Sequence, residues 1–218
     1  KESLTSFNRI STANSTLTDN SVYCFAPSTT GKLWIGTENG INYYSYKSKQ
    51  LKEFPVVADN KKVKYVHSIN ELNDTTLWVS TVGEGIVKVI LNNTGSSPAV
   101  KSATRIVLDK GRMASNYFFT SFQESDSILW FGNRGYGAYR LNVETGEMTP
   151  YKFDDVVKSQ TANDIFAIYK NGKGYWLGTS SGLLHLNQDY SHRHDRADLF
   201  SNNTVHGILE DQQNNLWI

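Results

Sequence analysis

All five tryptophans of this 218-residue chain stand in one recurring phrase. Trp34, Trp78, Trp130, Trp176 and Trp217 are separated by 44, 52, 46 and 41 residues, within GKLWIGTENGINYY, TTLWVSTVGEGIVKV, SILWFGNRGYGAYRL, KGYWLGTSSGLLHLN and NNLWI. A repeat of this period constrains the fold more than any local propensity, because each copy must be a supersecondary unit that buries its faces on its neighbours.

Each copy reads as a set of strands. An apolar run precedes the tryptophan (SVYCFA, SINEL, YFFTSF, DIFAIY, TVHGIL), and the tryptophan strand ends in a tight turn closed by Gly40, Gly85, Gly137 or Gly182. Glycine suits a hairpin turn that needs positive φ. A third strand follows (INYYSY, IVKVIL, AYRLNV, LLHLN), then turn letters such as Glu144-Thr145-Gly146-Glu147, then a weaker fourth strand (LKEFPVV, ATRIVL, MTPYKF). Four short antiparallel strands per ~40–50 residues is the spacing of a β-propeller blade. The sequence therefore predicts an all-β chain, one partial propeller domain over 1–218, with full blades at 20–57, 65–109, 115–154 and 162–196. Residues 1–10 read as the outer strand of a preceding or closing blade, and 202–218 as the first two strands of a truncated fifth. In this frame the tryptophans fill the gaps between blades. Abundant Tyr, Phe, Trp, Val, Ile and Thr, without Ala-, Glu- and Leu-rich runs, suit a pleated backbone.

A finer register repeats as well. Asn20, Asn116, Asn163 and Asn203 stand before the first strand of their copies, 14, 14, 13 and 14 residues ahead of the tryptophan, and are expected to bond their own turn backbone. Four residues further on the side chains are small: Cys24, Thr120, Ala167 and Gly207. The second copy is expected to depart twice, with His67 near the Asn place and Glu71 near the small one. Val82-Gly83-Glu84-Gly85 and Arg134-Gly135-Tyr136-Gly137 carry one extra turn residue. In a propeller these turns share one face with the loops entering each first strand.

Charge and cysteine content narrow the function. A formal net charge of +1, from 22 basic and 21 acidic residues, lacks the footprint of a nucleic-acid binder. The run Lys61-Lys62-Val63-Lys64 reads as a solvated loop rather than a phosphate site. One cysteine permits neither an intrachain disulfide nor a paired-thiol zinc site, and Cys24 in VYCFA reads as a small buried side chain. No stretch is apolar for long enough to cross a membrane as a helix.

The pattern N-x-V, then L-W-I-G-T-x-x-G-[IL] and an outer strand before the next N-x-V, resembles the two-component regulator propeller repeat from about Leu17 to Ile218. That repeat is known from the periplasmic sensor regions of hybrid two-component systems, particularly those of gut Bacteroidetes that control glycan use. The resemblance implies an arc of a seven-bladed ring, followed elsewhere by a β-sandwich, a membrane helix, and kinase, receiver and DNA-binding parts. It implies a periplasmic location, an oligosaccharide ligand, and as partners the remaining blades and domains of the same polypeptide and a second copy in a homodimer. This chain matches only the propeller part, so the expectation for it is no catalysis, no cofactor, no bound metal and no nucleic acid.

Sugar binding uses aromatic faces against the apolar side of the ring and planar polar groups for hydroxyls and charges. Candidates on the inferred face are Tyr65, His67, Arg112, Asn116, Tyr117, Arg134, Tyr136 and Asp164, with Arg112 and Arg134 suited to a uronate or sulfate. Ordinary loop solvation is the plainer explanation for any one of them. His192 and His194 alternate on an expected outer strand, but no third metal ligand converges with them. Glu38, Glu71, Glu84 and Asp164 supply carboxylates for a propeller glycosidase or lyase, yet recur at turns without the paired placement that hydrolysis needs. A protein-interaction propeller is the remaining alternative, although Gly-His and Trp-Asp signatures are missing at the blade positions.

Overall fold

A computed structural model describes residues 9–92, 97–108, 115–153, 163–195 and 204–218, with the backbone alone for 192–195. Among these residues there is no α-helix. Val22–Pro27 (β1), Lys32–Thr37 (β2), Gly40–Ser45 (β3) and Gln50–Phe54 (β4) form one antiparallel sheet in chain order. After a two-residue hairpin, Val57–Ala58 (β5) with Lys61–Lys62 (β6), the pattern recurs as Val66–Asn73 (β7), Thr76–Thr81 (β8), Ile86–Asn92 (β9) and Ala99–Ile106 (β10). The third blade is Phe118–Gln123 (β11), Ile128–Asn133 (β12), Ala138–Asn142 (β13) and Met148–Tyr151 (β14). The fourth is Ile165–Asn171 (β15), Gly174–Thr179 (β16), Gly182–Leu186 (β17) and His192–Asp195 (β18), followed by a pair, Leu209–Glu210 (β19) with Leu216–Trp217 (β20). The first strands β1, β7, β11 and β15 lie side by side in that order, so the sheets are arranged as propeller blades.

Burial explains the strand sequences. The second strand of a blade is flanked by strands within its sheet and by blades on both faces, so it reads as a continuous apolar run; every residue of β8 and β12 is buried. The first strand borders the axis on one side and alternates, as in β1.

Tryptophans occupy the joints. Trp34 packs with Phe54 and with Val66, Ile69 and Leu77 of the second blade; Trp78 with Phe118 and Phe131 of the third; Trp130 with Tyr175 and Leu177 of the fourth. Close approach of blades also explains the glycine after the tryptophan. A Cβ on Gly36, Gly132 or Gly178 would lie 2.6, 2.6 or 2.5 Å from the carbonyl oxygen of Val66, Ile165 or Val205 in the next blade. Cys24 lies in the same joint, its Sγ 3.8 Å from the Val66 oxygen, and burial pushes its thiol pKa up to about 12.

Three expectations are corrected. The entrance asparagines do not serve their own turn: Oδ1 of Asn20, Asn116 and Asn163 accepts the backbone N–H of Thr12 (3.0 Å), Leu108 (2.8 Å) and Phe153 (2.9 Å), stapling the connection arriving from further back. Asn203 lies outside the described residues. The second copy is framed differently, because Ser68 pairs with Ser80 as Cys24 pairs with Gly36; Lys64 and Ser68 therefore hold the places expected for His67 and Glu71. An eight-residue β7 with a second bulge between Glu71 and Asn73 obscures that frame in the sequence. The Lys61–Lys64 run is not a loop throughout: Lys61 and Lys62 are strand, Lys62 Nζ is 3.2 Å from Glu53, and Val63 is buried. Residues 1–8, read as an outer strand, lie outside the described residues.

One irregularity positions the site. Each first strand breaks register at the same step, between Val22 and Cys24, Val66 and Ser68, Phe118 and Thr120, and Ile165 and Ala167. A bulge re-aims one side chain and tightens the local twist. The bulged residues are Tyr23, His67, Phe119 and Phe166.

Candidate functional site

Strand entrances and the turns after the tryptophan strands share one face, held by backbone bonds. Within blades, Glu38 N–H donates to Ser21, Val82 to Tyr65 and Arg134 to Tyr117, each at 3.0 Å. Between blades, Tyr65 N–H donates to Glu38 (2.8 Å), Gly83 and Gly85 both donate to Asn116 (3.0 Å), Gly137 donates to Asn163 (2.9 Å), and Val205 to Thr179 (2.9 Å). The described strand entrances and turns of this face are thus tied to one another across the blades.

Several predicted residues meet there. Tyr65 and Tyr117 are about two-fifths exposed, although large aromatics are ordinarily well covered. Tyr117 lies over Gly83, whose φ of +90° favours glycine in that turn. The exposed Arg134 places its guanidinium carbon 5.7 Å from the Tyr117 ring centre, a cation–π pair on the surface. His67 stacks on Tyr23 with ring centres 4.1 Å apart and planes 17° apart, and burial pushes its imidazole pKa down. The Asp164 carboxylate accepts the Ser180 hydroxyl at 2.9 Å. Two candidates have structural work: the Asn116 amide is engaged with Leu108, and Tyr136 packs on the core between the second and third blades with Lys152 Nζ 5.5 Å above its ring. Arg112 lies outside the described residues.

Sequence reasoning missed the residues beside His67. Ring centres run from Tyr23 to His67 (4.1 Å), to Phe119 (5.8 Å), to Phe166 (4.9 Å) and to His206 (4.7 Å), one ring per blade. The signal was present: three residues beyond each entrance position stands an aromatic or imidazole side chain.

The carboxylates weighed for catalysis are dispersed. Glu71 accepts from Trp34, Ser28 and Thr29; Glu84 pairs with Arg105 at 2.8 Å; Glu38 accepts the Tyr23 hydroxyl at 3.3 Å. Among the described residues no three His, Cys, Asp or Glu side chains are placed to hold a metal. The side chains of His192 and His194 lie outside the described set. An apolar cavity of about 410 Å³ runs along Val22, Phe25, Leu33, Ile35 and Tyr44 of the first blade. The other blades use the corresponding surface for a joint, which explains its character.

The profile of the two component regulator propeller matches residues 16–39 and 199–218. Histidine kinase P4 of Formosa agariphila is 30% identical over 172 residues, covering 77% of this chain and 12% of that protein. Among solved structures, an extracellular domain assigned to a hybrid two component system of B. thetaiotaomicron superposes with a TM-score of 0.74 at 21% identity, over 92% of this chain and 27% of that one. A second such domain from the same organism gives 0.63 at 18% identity, over 100% and 33%. The Cps50 (Swd1) β-propeller domain of Myceliophteria thermophila gives 0.61 at 10% identity, over 98% and 63%. The chain spans about an eighth of the kinase relative and a quarter to a third of the bacterial extracellular domains.

Proposed function

We infer, for a chain that carries two-component regulator propeller repeats, a role in the sensor region of a hybrid two-component signalling protein, on the periplasmic side of the membrane. In this reading the propeller holds, or helps to hold, an oligosaccharide on the strand-entrance face, and the signal passes to a kinase elsewhere in the polypeptide. The observation that carries it is the Tyr117–Arg134 pair: an exposed ring seated on Gly83 with a guanidinium over it, on loops locked by hydrogen bonds between blades. An aromatic surface beside a planar donor is the chemistry that receives a sugar face and its hydroxyls. Among the described residues the carboxylates of Glu71, Glu84, Glu38 and Asp164 are engaged by Trp34, Arg105, Tyr23 and Ser180 respectively, an arrangement that suits binding better than the paired carboxylates of hydrolysis.

Titration calorimetry against a panel of neutral and acidic oligosaccharides tests the reading. Saturable binding that Tyr117→Ala or Arg134→Ala weakens, with melting temperature unchanged, is the expected result. A flat titration across the panel would overturn ligand binding by this propeller and turn the search towards a protein partner for the same face.

A further inference from the structure

The residue that precedes the first strand of a blade is held differently in the second copy. Ser21, Tyr117 and Asp164 occupy this place without positive φ, whereas Tyr65 has φ +51°, in the left-handed region that bulky side chains avoid. The chain arrives here through the β5–β6 hairpin, with Val63 N–H donating to Val56 (2.9 Å), and Lys64 stands where the other entrances have an asparagine. Tyr65 then turns the chain into β7, its N–H donating to Glu38 (2.8 Å) and its carbonyl accepting from Val82 (3.0 Å). Both bonds use main-chain atoms alone. Glycine would make them without strain, so the fold at this point does not call for a large aromatic residue.

Two aromatic residues among those described are left-handed, and their rings differ in what they touch. Tyr190 (φ +64°) has ring-centre distances of 5.7 Å to Trp130, 5.6 Å to Tyr151 and 5.9 Å to Tyr175, with the Arg140 guanidinium 5.5 Å from its own ring, so packing at the joint between the third and fourth blades offsets its strain. Tyr65 lacks that support. It joins none of the three hydrophobic cores, its side chain has no ring, cation or hydrogen-bond partner among the described residues, and it is about two-fifths exposed.

We propose that Tyr65 is a ligand-contact residue of the strand-entrance face, held in a strained backbone for the sake of its ring and not of the fold. The proposal deepens the sensor reading and rests on it. Left-handed backbone at a residue other than glycine clusters at ligand clamps and switch regions, where presenting the side chain is worth the strain. Position agrees with this role. Val82, whose N–H meets the Tyr65 carbonyl, also pairs with Tyr117, so both exposed tyrosines stand against the same turn of the second blade.

Tyr65→Gly and Tyr65→Ala separate ring from strain, since both delete the ring and only glycine relieves the backbone. Melting temperature is read without ligand, and affinity by calorimetry with cellotetraose, mannotetraose, xylotetraose and tetragalacturonate as probes. Tyr65→Gly is expected to melt about 2–4 °C above Tyr65→Ala, and no lower than the parent protein. Affinity for a probe that binds the parent should fall about tenfold in both variants. Melting of Tyr65→Gly below the parent would overturn the proposal, because the fold would then need the ring. Equal melting of the two variants would overturn the strain on which it stands. Unchanged affinity for a binding probe would overturn the contact while the sensor reading stands. A flat titration of the parent protein with all four probes would overturn the sensor reading and the contact with it.

Discussion

The carboxylate of Glu71, on the first strand of the second blade, accepts the indole N–H of Trp34, on the second strand of the first blade. Its other oxygen accepts the Ser28 hydroxyl (2.9 Å), the Thr29 N–H (3.1 Å) and the Thr29 hydroxyl (3.0 Å), all in one turn of the first blade. One side chain therefore clamps the joint, and its removal strands a buried indole N–H. Glu71→Ala is expected to lower unfolding free energy by about 2 kcal/mol, with Glu71→Gln milder, in urea titration. A loss below about 0.5 kcal/mol would show that the clamp contributes little.

Trp130 is fully buried between the third and fourth blades. Trp130→Ala should cost about 3–5 kcal/mol through a large cavity. A cost within about 0.5 kcal/mol in denaturant unfolding would contradict the assignment of this tryptophan to the joint.

Indole N–H groups are satisfied in four copies by Glu71, Glu124 (2.7 Å), Asn171 (3.4 Å) and Asp211 (2.9 Å). Trp78 has no acceptor among the described residues: Asn73, which opposes Thr76 as Asn171 opposes Gly174, turns its Oδ1 to the N–H (3.0 Å) and hydroxyl (2.8 Å) of Thr75 instead. Replacing Trp78 by Phe removes an unpaired buried donor, whereas Trp130→Phe leaves Glu124 without its indole partner. Trp78→Phe should therefore be the milder change by about 1–2 kcal/mol. The Trp78 indole proton should also resonate upfield of the other four; a hydrogen-bonded shift would refute the vacancy.

Glu124 sits beneath the third and fourth blades with Arg140 Nε at 3.4 Å and Lys170 Nζ at 3.5 Å. Burial opposes its ionisation, but the Trp130 indole, the Tyr175 hydroxyl, Lys170 and Arg140 outweigh burial and hold its carboxyl below the usual range. A depressed folded pKa gives stability that is present above the unfolded value and lost as pH falls through the folded one. The parent protein should therefore lose stability more steeply than Glu124→Gln below about pH 4, in melting curves across pH. Parallel curves would remove Glu124 as a source of acid sensitivity.

Much of the fold was legible because propeller blades are local. All four strands of a blade are consecutive and their hairpin turns short, so the phrase around Trp34 or Trp130 marks both the strand order and the joint it fills. The site was legible only in part. Tyr65, Tyr117 and Arg134 stand out as aromatic and basic letters near turn glycines, but Asn116 looks the same on paper and is committed to the Leu108 backbone. Phe119 and Phe166 looked like core because nothing in one copy reveals that a bulge turns them towards the axis.

The sequence by itself determined the repeat, the all-β class, the blade strands and the tryptophan joints, because these follow from hydrophobic period and turn chemistry within each copy. Tertiary structure decided which blade supplies the partner. Glu71 serves Trp34 in the blade before it, Gly36 exists for the carbonyl of Val66, and the rings of five copies meet in one arc only when first strands stand side by side. Such relations depend on distances between residues dozens of positions apart, set by how blades pack, and local sequence carries no record of that spacing.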